Sequence, residues 1–198
     1  FFLNFFFDSN YLNKRNSISN LTHQTIYMNQ ILKHESISSL KKPKKVYLKL
    51  KNNLKYDCLI HLSNRWINSD YIINDLILLV EGISKRFRKI SFTTDMLISD
   101  NIKKVIQALK SNKNYNINMQ PNFKSWINLI DQSKLIITPE CGCSHICGLL
   151  NKNAIIIYDR NNKPDFIKRE YQPYLSKSII KIKSALGKNQ NKKILGYI

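Results

Sequence analysis

Five compact apolar runs of strand length recur through the chain, and the segments between them carry apolar residues at helical spacing. The runs are YDCLIHLS (56–63), KISFTT (89–94), YNINMQ (115–120), KLIITPE (134–140) and AIIIYD (154–159). The intervening segments are YIINDLILLVEGISKRF (71–87), DNIKKVIQALKS (100–111), NFKSWINLIDQS (122–133) and SHICGLLN (144–151). Ile72, Leu76, Leu79, Val80 and Ile83 mark one face of the first segment, and Ile102, Val105, Ile106 and Leu109 one face of the second. Asp100 starts the second helix and Asn122 caps the third. Such alternation predicts βαβ units and a parallel sheet. Near-continuous runs such as LIIT and AIIIY suit strands buried on both faces. Right-handed crossovers then give a doubly wound, Rossmann-like α/β domain. Ligands in such sheets bind at the carboxyl ends of the strands.

Outside this core the pattern weakens. Residues 1–40 open with an apolar FFLNFFFD that reads as a strand already inside a fold, then a polar loop. An amphipathic segment, HQTIYMNQILKHESI, follows, with Ile26, Tyr27 and Ile31 on one face. Pro43, within the lysine-rich KKPKK (41–45), stops any helix and marks a linker. The expected division is 1–45 as the end of a preceding domain with its linker, 46–185 as the Rossmann-like domain and 186–198 as a basic tail. SKSIIKIKSAL (176–186) is expected to be a last helix. The opening lacks a basic leader and reads as the interior of a longer protein.

The formal net charge is +19, from 32 Lys and Arg against 13 Asp and Glu. Attraction to nucleic acid, anionic lipid or a phosphorylated ligand is one reading. A compositional bias toward Lys, Asn and Ile is the other. The lysines are spread along the chain and no nucleic-acid motif accompanies them. No apolar run reaches the roughly 20 residues of a membrane helix. Three of the four cysteines crowd into seven residues. That is no disulfide framework, and it points to a reducing, cytoplasmic location.

Those cysteines lie in PECGCSHICG (139–148), directly after the run KLIIT. A zinc site would use their thiolates and His145, but the chain lacks the second knuckle such sites need. A Cys–His nucleophile needs its base within hydrogen-bond reach and a third group to orient it, and nothing nearby compels that arrangement. A strand–turn–helix phosphate site fits the position. Gly142 lets the backbone turn and approach a ligand, Ser144 caps the helix, and its N–H groups and dipole favour an anion. A plain turn without ligand remains the bland alternative.

The stretch SWINLIDQSKLIITPECGCSHICGLLNKNAIIIYDRNNKP resembles the C-terminal signature of glycosyltransferase family 9, the heptosyltransferase-like enzymes. Glu140, Gly142 and His145 fall on the Asp, Gly and His of the family's D-[ST]-G-x-x-H, and Cys141 takes its Ser/Thr position. IHLSNRW (60–66) is similar to the family's first strand and loop of this domain, with Ser63, Asn64 and Arg65 at the donor-contacting positions. The likeness covers about residues 55–175. Glu for Asp, Cys for Ser/Thr and NKN (151–153) for G-x-P are its departures.

The resemblance implies the donor-binding C-terminal half of a GT-B glycosyltransferase. Such an enzyme moves a sugar from a nucleoside-diphosphate sugar, ADP-heptose in the best-known members, to a lipopolysaccharide or other surface-glycan acceptor. It implies donor contacts from Ser63, Asn64, Arg65, Glu140, Cys141, Gly142, Cys143, Ser144 and His145, with no metal and no other cofactor. The acceptor and an acidic catalytic base would belong to the preceding domain. Peripheral contact with the inner face of the cytoplasmic membrane follows from such an acceptor. Trp66 and Trp126 are expected in the core, and neither Thr94 nor Asp100 in the site. A non-catalytic nucleic-acid-binding module and a degenerate glycosyltransferase remnant are the competing readings.

Overall fold

The computed structural model describes residues 53–67, 71–158, 173, 179–183 and 187–198. The expected strand, amphipathic segment and linker of residues 1–45 lie outside them. The described strands form one six-stranded, wholly parallel sheet. They are β1 (Tyr56–Leu62), β2 (Ile90–Thr94), β3 (Tyr115–Asn118), β4 (Ser133–Pro139), β5 (Asn153–Tyr158) and β6 (Ile179–Lys183). Their order is β3-β2-β1-β4-β5-β6. Chain direction across the sheet therefore reverses between β1 and β4, the position where doubly wound sheets open a crevice.

The described α-helices are α1 (Ile73–Ser84), α2 (Asp100–Leu109), α3 (Phe123–Asp131), α4 (Gly142–Leu149) and α5 (Gly187–Gly196). Strand alternation splits the core into two layers. Cys58, Ile60 and Leu62 of β1 and Ile155 and Ile157 of β5 pack with the apolar faces of α1 and α2. Leu59, Ile136, Ala154 and Ile156 pack on the other side with Ile130 of α3 and Cys143 and Cys147 of α4. In α2 the predicted face, Ile102, Val105, Ile106 and Leu109, is the buried one, at about 2 kcal/mol of burial per side chain.

Helix starts follow local chemistry. Ser99 and Asn122 accept from Ile102 N–H and Ser125 N–H and so cap α2 and α3. α4 departs from expectation: it begins at Gly142, two residues before Ser144. Its N-cap is Cys141 in an extended conformation, with no side-chain cap bond. Ser144 instead turns its hydroxyl back onto the Cys141 carbonyl at 2.7 Å. Beyond the C-cap Leu150 of α4, Asn151 takes a left-handed φ of 51°, and Lys152 N–H bonds the Cys147 carbonyl.

The C-terminal expectations need correction. Ile179–Lys183, predicted helical, is β6 and pairs in parallel with β5. Gly187–Gly196, predicted to be tail, is α5, which packs on α1 through the fully buried Ile194. Tyr71 donates its hydroxyl to Asn191 at 2.8 Å, and the Asn191 amide donates to the Asp75 carbonyl at 2.8 Å. These bonds clamp α5 to the start of α1.

Candidate functional site

Two turns meet at the carboxyl ends of β1 and β4. After β1, Ser63 caps a single 3-10 turn, Asn64–Trp66, by accepting from Arg65 N–H at 3.3 Å. After β4, Glu140 and Cys141 lead into α4. Arg65 Nη1 reaches Glu140 Oε2 at 2.5 Å and so ties the two turns together. Arg65 is 60% exposed and Glu140 only 14%. Burial raises the Glu140 carboxyl above its ordinary range, against the opposing pull of Arg65.

The remaining predicted residues divide by what they present. Asn64 spends its amide on the β2–α2 loop, donating to the Leu97 carbonyl at 3.0 Å and accepting from Ser99 N–H at 2.8 Å. Ser63, Cys143 and Ser144 have buried side chains, so at this surface they offer backbone. His145 stands on the exposed face of α4, which excludes a core role for it. Gly142 lies in the helix and outside the left-handed region, so it serves no tight turn. A Cβ there would meet Trp126 at 3.6 Å, an ordinary contact. Cys141 makes no side-chain cap bond to the first turn of α4, and of that turn Ser144 N–H bonds the Cys141 carbonyl at 3.1 Å.

Sequence reasoning missed His61, Thr93 and Asp95. His61 lies on β1, register-paired with Thr93 of β2. Its Nδ1 is 3.0 Å from Thr93 Oγ1 and its Nε2 3.0 Å from Asp95 Oδ1. The Trp126 ring packs 5.5 Å away, so Trp126 borders the site, whereas Trp66 is core as expected. The available signal was one titratable residue inside an apolar strand at its carboxyl end.

The sheet separates the cysteines. Cys58 belongs to the layer with α1 and α2, and Cys143 and Cys147 to the layer with α3 and α4. All four thiols are free. Among the described residues no group of three or more His, Cys, Asp or Glu is placed to hold a metal ion. No described helix is long and apolar enough to cross a membrane.

No protein-family model and no curated relative matches the sequence. Solved structures do. E. coli heptosyltransferase WaaC with ADP superposes with a TM-score of 0.57 at 11% identity, over 75% of this chain and 45% of that one. E. coli ADP-heptose LPS heptosyltransferase II gives 0.56 at 14% identity, over 71% and 45%. The fold is heptosyltransferase-like. The same α/β arrangement extends to the UDP-GlcNAc 2-epimerase of Methanocaldococcus jannaschii, at a TM-score of 0.50 and 16% identity, over 72% and 38%. The chain spans less than half the length of each of these proteins. The heptosyltransferase-like resemblance read from PECGCSHICG and IHLSNRW thus agrees with the fold, a Rossmann-like sheet of the GT-B type.

Proposed function

We propose that this chain carries the donor-binding part of a glycosyltransferase that moves a sugar from a nucleoside-diphosphate sugar to a lipopolysaccharide or other surface-glycan acceptor. The observation that carries this reading is the Arg65–Glu140 pair, set across the β1–β4 crevice beside the amino end of α4. A diphosphate entering the crevice displaces Glu140 and takes the Arg65 guanidinium, whose fork suits phosphate oxygens. The Gly142 and Cys143 N–H groups at the start of α4 complete the cradle. The released Glu140 accepts from ribose or sugar hydroxyls, and His145 adds a donor from the exposed face of α4. As the bond from the anomeric carbon to the diphosphate breaks, Arg65 and the α4 dipole offset the charge growing on the leaving group.

Fold likeness to a heptosyltransferase solved with ADP supports an adenine nucleotide, with ADP-heptose the first donor to test. The acceptor and the base that removes its proton are assigned to the other half of such an enzyme. On this reading the protein works in the cytoplasm, with its cationic charge favouring contact with the anionic inner face of the membrane. Titration with ADP- and UDP-sugars, beside oligonucleotides over a range of salt, tests it. Sugar-nucleotide binding that Glu140→Ala and His145→Ala weaken supports the reading. Oligonucleotide binding alone, steeply salt-dependent, overturns it in favour of a nucleic-acid module.

A further inference from the structure

One carboxylate links a buried imidazole to the turn that bears Arg65. Asp95 Oδ1 holds His61 Nε2, while Asp95 Oδ2 accepts from Asn64 N–H at 3.4 Å. The Ser63 hydroxyl also faces this carboxylate. A carboxylate only accepts, so Nε2 bears a proton, and the Thr93 hydroxyl can serve Nδ1 in either role. The imidazole is 1% exposed, at the carboxyl end of β1 and directly behind the turn.

Four elements surround the ring: Asp95 from the β2–α2 loop, Cys141 from the β4–α4 turn, Thr93 from β2 and Trp126 from α3. Among these neighbours only Asp95 and Cys141 ionise, and Arg65 and Glu140 answer one another farther out at the mouth. Burial works against the His61 proton. The Asp95 carboxylate bonded to Nε2, together with the nearby Cys141, outweighs it and raises the imidazole to about 9. With that value the ring keeps its proton at neutral pH and forms an ion pair with Asp95 behind the proposed diphosphate site.

Resting on that donor-site reading, we propose that His61 and Asp95 are positioning residues for it. Their bond locks the Ser63–Arg65 turn, and the His61 proton cancels the Asp95 negative charge that would otherwise lie behind the β1–β4 crevice. The grip on a diphosphate then depends on the His61 proton.

Two measurements on the whole chain decide this. Nitrogen NMR of the His61 ring is expected to show a titration near 9 that moves down in Asp95→Asn. Calorimetric ADP affinity of the wild type is expected to fall by about fivefold to tenfold from about pH 7.5 to 9.5, following the ring. His61→Asn is expected to bind about tenfold more weakly at neutral pH and to lose that dependence. A ring titrating at its ordinary value of about 6.5 overturns the proposal whatever ADP does. So does an unchanged pH profile in His61→Asn, which leaves the residue a purely structural role. A ring titrating near 9 in a protein that never binds ADP sinks the donor-site reading, and the positioning role with it. Should the variants fail to fold, the wild-type ring titration and ADP profile still decide it: parallel curves support the proposal and divergent ones overturn it.

Discussion

Arg65 and Glu140, 75 residues apart in sequence, meet across the carboxyl ends of β1 and β4. The contact spans the place where the winding of the described strands reverses. It adds little to the fold. Arg65 is mostly exposed, and an ion pair of that kind contributes about 0–1 kcal/mol. Arg65→Ala is therefore expected to shift the melting temperature by no more than about 2–4 °C, checked by thermal unfolding. A larger loss would make the pair a structural strut.

The two glycines of α4 face different surroundings. A Cβ at Gly148 would stand 2.7 Å from Pro173 Cβ, part of a rigid ring, whereas one at Gly142 meets Trp126 at 3.6 Å. Gly148→Ala is expected to cost about 1–3 kcal/mol, read from denaturant melts. Gly142→Ala is expected to leave stability level or raise it by up to about 1 kcal/mol through helix propensity. ADP affinity should nevertheless fall several-fold in Gly142→Ala, because the methyl crowds the first turn of α4.

His61 gives the stability curve an alkaline limb. The folded state holds the His61 proton more tightly than the unfolded chain does. Its contribution is full below about 6.5, the unfolded value, and is lost as pH rises through about 9. Asp95 behaves oppositely. Burial alone would raise its carboxyl, but bonds from His61 and Ser63 lower it, so its contribution is lost as pH falls into the acid range. Melting temperature is expected to peak between about pH 5 and 6.5 and to drop several degrees by about pH 9.5. His61→Asn should flatten the alkaline limb, which calorimetric melts across pH would show.

Cys58, Cys143 and Cys147 are fully buried, and burial pushes the Cys58 and Cys143 thiols upward. Cys141 is partly exposed at the amino end of α4. Iodoacetamide is expected to modify this single thiol in the native protein, with the others reacting only on unfolding. ADP should slow the reaction at Cys141, as mass spectrometry of labelled peptides would report. Labelling that ADP leaves unchanged would place the nucleotide away from this turn.

What the sequence made legible follows how local each signal is. β1, β2, β4 and β5 are short apolar runs buried on both faces, and burial of that kind is written in the run itself. Asn122 announced the start of α3 because capping involves only neighbouring residues. β6 was misread because a run as short as IIKIK fits both a helical and a strand period. α5 is anchored by Asn191 to Tyr71, 120 residues away, a contact without local trace. Ser144 is a favoured capping residue, yet Cys141 holds the cap position, and only the backbone geometry after β4 decides that. Arg65 and Glu140 were each legible through a resemblance. Their meeting, and the part of His61 and Asp95 behind them, depends on strand order.

On the proposed function, the Arg65–Glu140 junction is a diphosphate site. Isothermal calorimetry of ADP binding to the wild type and to Arg65→Ala, at neutral pH and moderate salt, decides it. Saturable one-to-one binding by the wild type is expected, with at least a tenfold loss in Arg65→Ala, about 1.4 kcal/mol or more. Absence of ADP heat in the folded wild type, or equal affinity in the two proteins, would contradict it.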